Sequence, residues 1–466
     1  MKMNRRGILL AGILFGAAAN TIMQTVVATI LPHVVNQLGS SHLYGWVFSG
    51  YLLMSTITIP LFAKLADLYG YKLFFTIGMV IFLAGSLLCG LAPSLHILVI
   101  ARLVQGVGAG VLGPVAIAII SILFPVENRG KALSAFAAVQ LFSNLAGPVA
   151  GGFVAAAFGW PFAFYMVIPL GLLSLIIIRF SHGPADRKPE PSTSLKKFDY
   201  WGALLLGLST ALFVQTWTVF EKAGWSMGTI LCLVGSILFL IGFVVQEGRH
   251  PAPILPPALI KIANVRLANW SALLTGVLMH GAIAILPLYA AVVFNGKTTG
   301  SAQFLLPLML GLSAGIIFSG QMIHKYPYKM LARAGWLISA GSLLFMSVIV
   351  FSGLPVMFHV LFSFLFGFGI GILVPTFLLP AQNAVSEKFQ ATIGGMIQLS
   401  RNIGGAAGIP LLTGITGISN VWGSEFVSYG VVFLVLFILS MAGFFIGSRF
   451  QGDARPKERT VKQPNL

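Results

Sequence analysis

Charge is what this chain has little of. Only 8% of its 466 residues are Asp, Glu, Lys or Arg, against about 25% in an ordinary soluble domain. Acids are the scarcer sign: 11 Asp and Glu stand against 28 Lys and Arg. So few charges cannot clothe a soluble surface, and a chain this apolar does not stay disordered. The ordinary soluble enzyme is thereby excluded. Cysteine is also scarce. Cys89 and Cys232 lie in apolar runs and read as small core residues, with no disulfide framework and no metal site. No His-Glu metal pair, paired carboxylates or nucleophile elbow occurs in the apolar runs, so no enzyme chemistry and no cofactor is expected.

What is present is hydrophobic sequence: 57% of residues, with a mean hydropathy of +0.93. The apolar runs are mostly about 20 residues or longer, which suits membrane-spanning helices rather than barrel strands of roughly 10 alternating residues. An all-α integral membrane protein is expected. Fourteen apolar segments can be read, at 7–32, 43–63, 73–92, 97–124, 131–157, 160–180, 199–220, 226–246, 267–293, 300–322, 331–352, 355–381, 391–415 and 427–448.

The placement of basic residues gives this count an orientation. Lys222 and Lys297 fall on one side, and Arg102 and Arg401 lie within spans. Every other Lys and Arg falls on the side of the N-terminus. Cytoplasmic loops collect Lys and Arg, so both tails are expected in the cytoplasm of a multi-pass cell-membrane protein, most simply a bacterial one. The net charge of +17 follows from the same bias and needs no nucleic acid. The first run could pass for a secretory signal, but it continues unbroken to Pro32 and reads as an uncleaved span.

A repeat is visible. Gly106, Gly108, Gly110 and Pro114 in the fourth span share their spacing with Gly367, Gly369, Gly371 and Pro375 in the twelfth. The loop after the second span has a weaker echo at 320–329. This predicts two six-helix halves, 1–180 and 267–448. Between them lies a segment, 181–266, with a loop and two inserted spans (199–246), and a tail, 449–466, follows. Duplicated halves around a central site are a transporter plan.

At these motifs the chain resembles the major facilitator superfamily, most closely its fourteen-helix drug:proton antiporter branch. The segment Leu65-Ala66-Asp67, Gly70 and Lys72 is similar to the family's gate-loop signature, with Ala63 and Tyr71 departing from it. Arg102, Gln105, Gly106 and Gly108 resemble its fourth-span pattern. Gly147-Pro148-Val149-Ala150-Gly151-Gly152 matches the antiporter signature in full. The resemblance implies a major facilitator-type fold with fourteen transmembrane helices. It also implies export of amphiphilic compounds or drugs by alternating access, coupled to protons. The gate loop would hold helix ends together, and the glycine-proline helix would rock.

One departure bears on coupling. The first span, Gln24 to Pro32, resembles the family's pattern, but Met23 stands where the family's acid is expected. No Asp or Glu lies well inside any span. Asn20 and Gln24, one turn apart, are expected to hydrogen-bond Arg102 instead. His280 is the candidate coupling group, with a packed structural histidine as the alternative. Amide pairs at four-residue spacing, Asn20/Gln24, Gln140/Asn144 and Gln398/Asn402, are expected to line a central cavity. Buried amides are costly in lipid unless they face water or one another. Two intramembrane arginines and no acid make that cavity neutral to positive, so a narrower exporter of an anionic metabolite, siderophore or antibiotic stays open as an alternative. A non-transporting sensor or scaffold is the remaining one. The expected partners are a small organic substrate, protons and the lipid bilayer, with no obligate protein.

Overall fold

The computed structural model describes the chain apart from residues 1–4, 40, 125, 182–198, 252, 255, 294–297, 324, 353–354, 356, 386, 418–424 and 451–466. The described residues form helices and no strand. In chain order these are α1 (Arg5–Leu38), α2 (Tyr44–Tyr69), α3 (Tyr71–Gly90), α4 (Leu95–Leu123), α5 (Val126–Phe158), α6 (Trp160–Tyr165) and α7 (Ile168–Phe180). Next are α8 (Tyr200–Ala223) and α9 (Met227–Arg249), followed by a short α10 (Pro257–Ile260). Then come α11 (Ala263–Val293), α12 (Thr298–Met322), α13 (Tyr328–Ser352), α14 (Met357–Gln382), α15 (Glu387–Gly417) and α16 (Glu425–Gly447).

Among the described residues, twelve helical segments are long and apolar enough to cross a membrane. α15 does not join that set, although it is 31 residues long, and its composition explains it. α15 carries Gln398, Arg401 and Asn402 in its middle. α2 carries Ser55, Thr56 and Thr58, whose hydroxyls turn back onto carbonyls of their own helix. The segment read as one span at 160–180 is broken into α6 and α7. Pro169, in the first turn of α7, lacks the backbone donor that would continue α6.

Local signals explain where helices begin and turn. Ser94, Asp199 and Ser226 accept backbone N–H groups at the starts of α4, α8 and α9, satisfying donors the helix cannot. Gly70 joins α2 to α3 with φ of 111°, a conformation that side chains with a Cβ resist.

Helices pack through small residues. Gly106 and Gly110 of α4 abut α2, and Gly108 abuts α3. In the same way Gly367 and Gly371 of α14 abut α12, and Gly369 abuts α13. So α12–α14 repeat the packing of α2–α4. α1 packs on α5, α11 on α15, and α8 on α9. α8 also touches both α2 and α15. Much of α9 faces outward with apolar side chains, including Leu231, Leu238 and Val244.

Candidate functional site

Arg102 is fully buried, at 1% exposure. A guanidinium so placed needs its donors and charge satisfied. Its Nε donates to the Val47 carbonyl at 3.1 Å, and one terminal nitrogen donates to Gln105 Oε1. Its carbon lies 4.0 Å from the centroid of the Tyr51 ring, a cation–π contact worth about 2 kcal/mol when desolvated. Gln105 passes the network on, donating to Ser86 Oγ at 2.7 Å, while Cys89 Sγ points at its Oε1.

The sequence-level expectation that Asn20 and Gln24 bond Arg102 is corrected here. Tyr51 stands between them. Its hydroxyl donates to Asn20 Oδ1 at 2.7 Å and accepts from Gln24 Nε2 at 3.5 Å. Tyr51 is 2% exposed and was not singled out in the sequence. A polar-tipped aromatic at the depth of Asn20 was the available signal. Arg102 is also not a cavity cation, because its charge is spent among α1–α4.

At the junction of α2 and α3, Gly70 makes the turn and Lys72 Nζ donates to the Ser181 carbonyl just past α7. A cation suits that end, where carbonyls are left over. The side chain of Asp67 lies outside the described residues.

The glycines of α5 face α1. A Cβ at Gly147 would strike the Thr25 hydroxyl, and one at Gly151 would sit 3.0 Å from the Val26 methyls. Gly152 is looser, at 3.5 Å from Thr29 Cγ2. Pro148 lies inside α5. Gln140 and Asn144 are half-buried on the same helix. A second seam joins α15 to α11. Gly404 and Gly408 abut Leu273 and Val277, and a Cβ at Gly276 would strike the Arg401 carbonyl. His280 fills the space over Gly405, whose Cβ would come 2.7 Å from its ring. Its Nδ1 lies 3.1 Å from the Gly276 carbonyl.

Arg401 sits midway along α15, half-buried. No hydrogen-bond partner reaches its buried Nε among the described residues. His280 lies one turn further along the same seam, over Gly405. One turn before Asn402, Gln398 is exposed and donates to Asn402 Oδ1 at 2.9 Å. The structure thus brings Arg401, Gln398, Asn402 and His280 together, and sets Asn20, Gln24 and Arg102 in a separate network.

The helix sets meet at the end distal to the chain termini. Tyr44 Oη donates to the Ala284 carbonyl at 2.7 Å, and Gly45 lies against Pro410 and Thr413 of α15. Among the described residues no three His, Cys, Asp or Glu side chains gather as a metal site.

A bundle of membrane-length helices with repeated glycine seams and an internal arginine network has the form of a membrane transporter. The chain belongs to the Major Facilitator Superfamily, whose pattern it matches over residues 13–409. It is 28% identical to Multidrug transporter protein MdtP of Bacillus subtilis (strain 168), over 88% of this chain and 75% of that protein. It is 29% identical to Multidrug resistance protein 3 of the same organism, over 86% and 77%. The fold is similar to the crystal structure of a peptide transporter POT in complex with sulfate, with a TM-score of 0.68 and 17% identity, covering 95% of this chain and 94% of that one. The protein is a transporter and not an enzyme.

Proposed function

We propose that this protein exports amphiphilic organic molecules across the cytoplasmic membrane of a bacterium by alternating access, coupled to proton entry. The observation that carries the reading is the α1–α5 seam. Gly147 and Gly151 of the Gly147-Pro148 motif meet Thr25 and Val26 so closely that no side chain fits between. A tight seam that contains a proline can tilt as a unit without opening a leak. The resemblance to multidrug transporters of Bacillus subtilis supports amphiphilic cargo.

In this reading fourteen helices span the membrane, α6 and α7 serving as one. Six form each half, 1–180 and 267–448, and α8 and α9 are inserted between. Both termini are cytoplasmic, following the basic-residue bias. The distal end, held by Tyr44 and Ala284, is then the external one, closed in this conformation.

Met23 at the expected acid position leaves His280 as the group that exchanges the proton. The gate loop with Asp67, Gly70 and Lys72 holds the cytoplasmic helix ends. The amides of α1, α5 and α15 face the cargo path.

The test is uptake of a neutral and an anionic amphiphilic dye into everted vesicles with and without an imposed pH gradient, repeated for His280→Ala and Asp67→Asn. Uptake that collapses with the gradient is expected, as is loss of gradient dependence in His280→Ala. Uptake indifferent to the gradient removes proton antiport, and absence of uptake of either dye removes export.

A further inference from the structure

The two intramembrane arginines are not equivalent. Arg102 has a ring on its face, a carbonyl on Nε and an amide on a terminal nitrogen. Its charge is answered from within the protein, and at 1% exposure nothing can reach it. Arg401 has none of this. Its Nε is buried without a hydrogen-bond partner among the described residues, and its side chain is partly open.

A guanidinium halfway along a 31-residue helix does not remain against lipid. α15 packs on α2, α8, α11, α14 and α16, so the open part of its middle faces the bundle interior. The face bearing Arg401 also carries Gln398 and Asn402. Gln398 donates to Asn402 Oδ1, which leaves the Asn402 amide N–H groups as donors beside Arg401. His280 of α11, packed over Gly405 on the same seam, brings no negative charge.

The acids cannot answer Arg401 from within its own span. The sequence has none between Lys388 and Glu425. The two acids whose side chains are described, Asp199 and Glu247, bond within the α8–α9 region, to Gly202 and Gln246 and to Ile254 respectively.

We propose that Arg401, with Asn402 beside it, is an anion-recognition subsite in the cargo path, and that the cargo is an amphiphile bearing one carboxylate, sulfonate or phosphate. An arginine fork binds such a group bidentately, and the cargo's charge completes the partner set that the described residues leave unfilled. The inference rests on the export reading for the cargo path and adds the charge of the cargo to it.

Binding and transport are measured separately, so that the two readings fail separately. Purified full-length protein in detergent is titrated with pyrenebutyrate, which bears a single carboxylate, and with its neutral methyl ester, following tryptophan quenching. The wild type is expected to favour the anion. In Arg401→Gln the anion-over-ester affinity ratio should fall about tenfold or more, the size of one lost charge-assisted hydrogen bond. Arg401→Lys should restore part of that ratio. The Gln and Lys variants differ in charge at one site, so a mere packing role would move both probes together and leave the ratio unchanged. An unchanged ratio, no binding of pyrenebutyrate by the wild type, or tighter binding of the ester overturns the subsite. Anion binding that depends on Arg401, without movement of either probe in vesicles, overturns export and leaves the subsite standing.

Discussion

The Tyr44 hydroxyl of α2 donates a 2.7 Å hydrogen bond to the Ala284 carbonyl of α11. The bond joins helices 240 residues apart in the sequence, and it does so where α2 begins. Tyr44 is 4% exposed, and its ring leans on Phe48 at 5.7 Å.

If this contact closes the distal end, Tyr44→Phe should loosen that end while keeping the ring's packing. The loss of one hydrogen bond is worth about 1 kcal/mol, which shifts a two-state equilibrium roughly fivefold. Spin-label distances between the distal ends of α2 and α11 should broaden toward longer values. An unchanged distribution refutes the latch.

Tyr51 does two jobs that substitution can separate. Tyr51→Phe removes the bonds to Asn20 and Gln24 but leaves the ring under Arg102, and should cost about 1 kcal/mol. Tyr51→Leu removes the cation–π contact as well and should cost about 2 kcal/mol more. Thermal unfolding in detergent measures both. Equal losses would show that the ring face contributes nothing.

The α5 glycines make a graded prediction. Gly151→Val forces side chain into a gap already at 3.0 Å, and overpacking of this kind costs about 1–3 kcal/mol. Gly152→Ala meets Thr29 at an ordinary 3.5 Å and should be tolerated. Transport in vesicles at matched expression should be lost in the first and kept in the second. Loss in both would make the motif sensitive for a reason other than the seam.

Gly70 tests the turn. With φ at 111°, Gly70→Ala should destabilise the α2–α3 junction by about 1–3 kcal/mol. Hydrogen exchange at the first residues of α3 should accelerate. Unaltered exchange would mean the turn relaxes without strain.

Much of the helix layout was legible without coordinates. Most of the apolar runs coincide with helices to within a few residues, because hydropathy adds along a contiguous stretch and the bilayer responds to that sum. Two features within those runs have a local cause. Pro169 interrupts the segment Trp160–Phe180 between α6 and α7 while leaving it one membrane-length stretch. The polar middle of α15 lowers its apolarity because that helix is wrapped by its neighbours rather than by lipid.

The site was legible as residue types and not as pairs. Arg102, Asn20 and Gln24 stood out, since polar groups in apolar runs always need a partner. Tyr51 and Tyr44 did not stand out, because tyrosine is ordinary at a membrane interface and its hydroxyl becomes informative only beside a named acceptor. Nor could any spacing distinguish Arg102 from Arg401. Both are lone cations in apolar sequence, and the difference lies in what other helices bring to them.

The sequence by itself determined that this chain lives in a bilayer, roughly where its helices lie and which family it resembles. Those properties are sums and spacings along one dimension. Only the tertiary structure decided that Tyr51 separates Asn20 from Arg102, that Arg102 is satisfied and that Arg401 Nε has no partner among the described residues. Hydrogen bonds and ring contacts act over a few ångströms, and the residues that make them come from helices that only packing brings side by side.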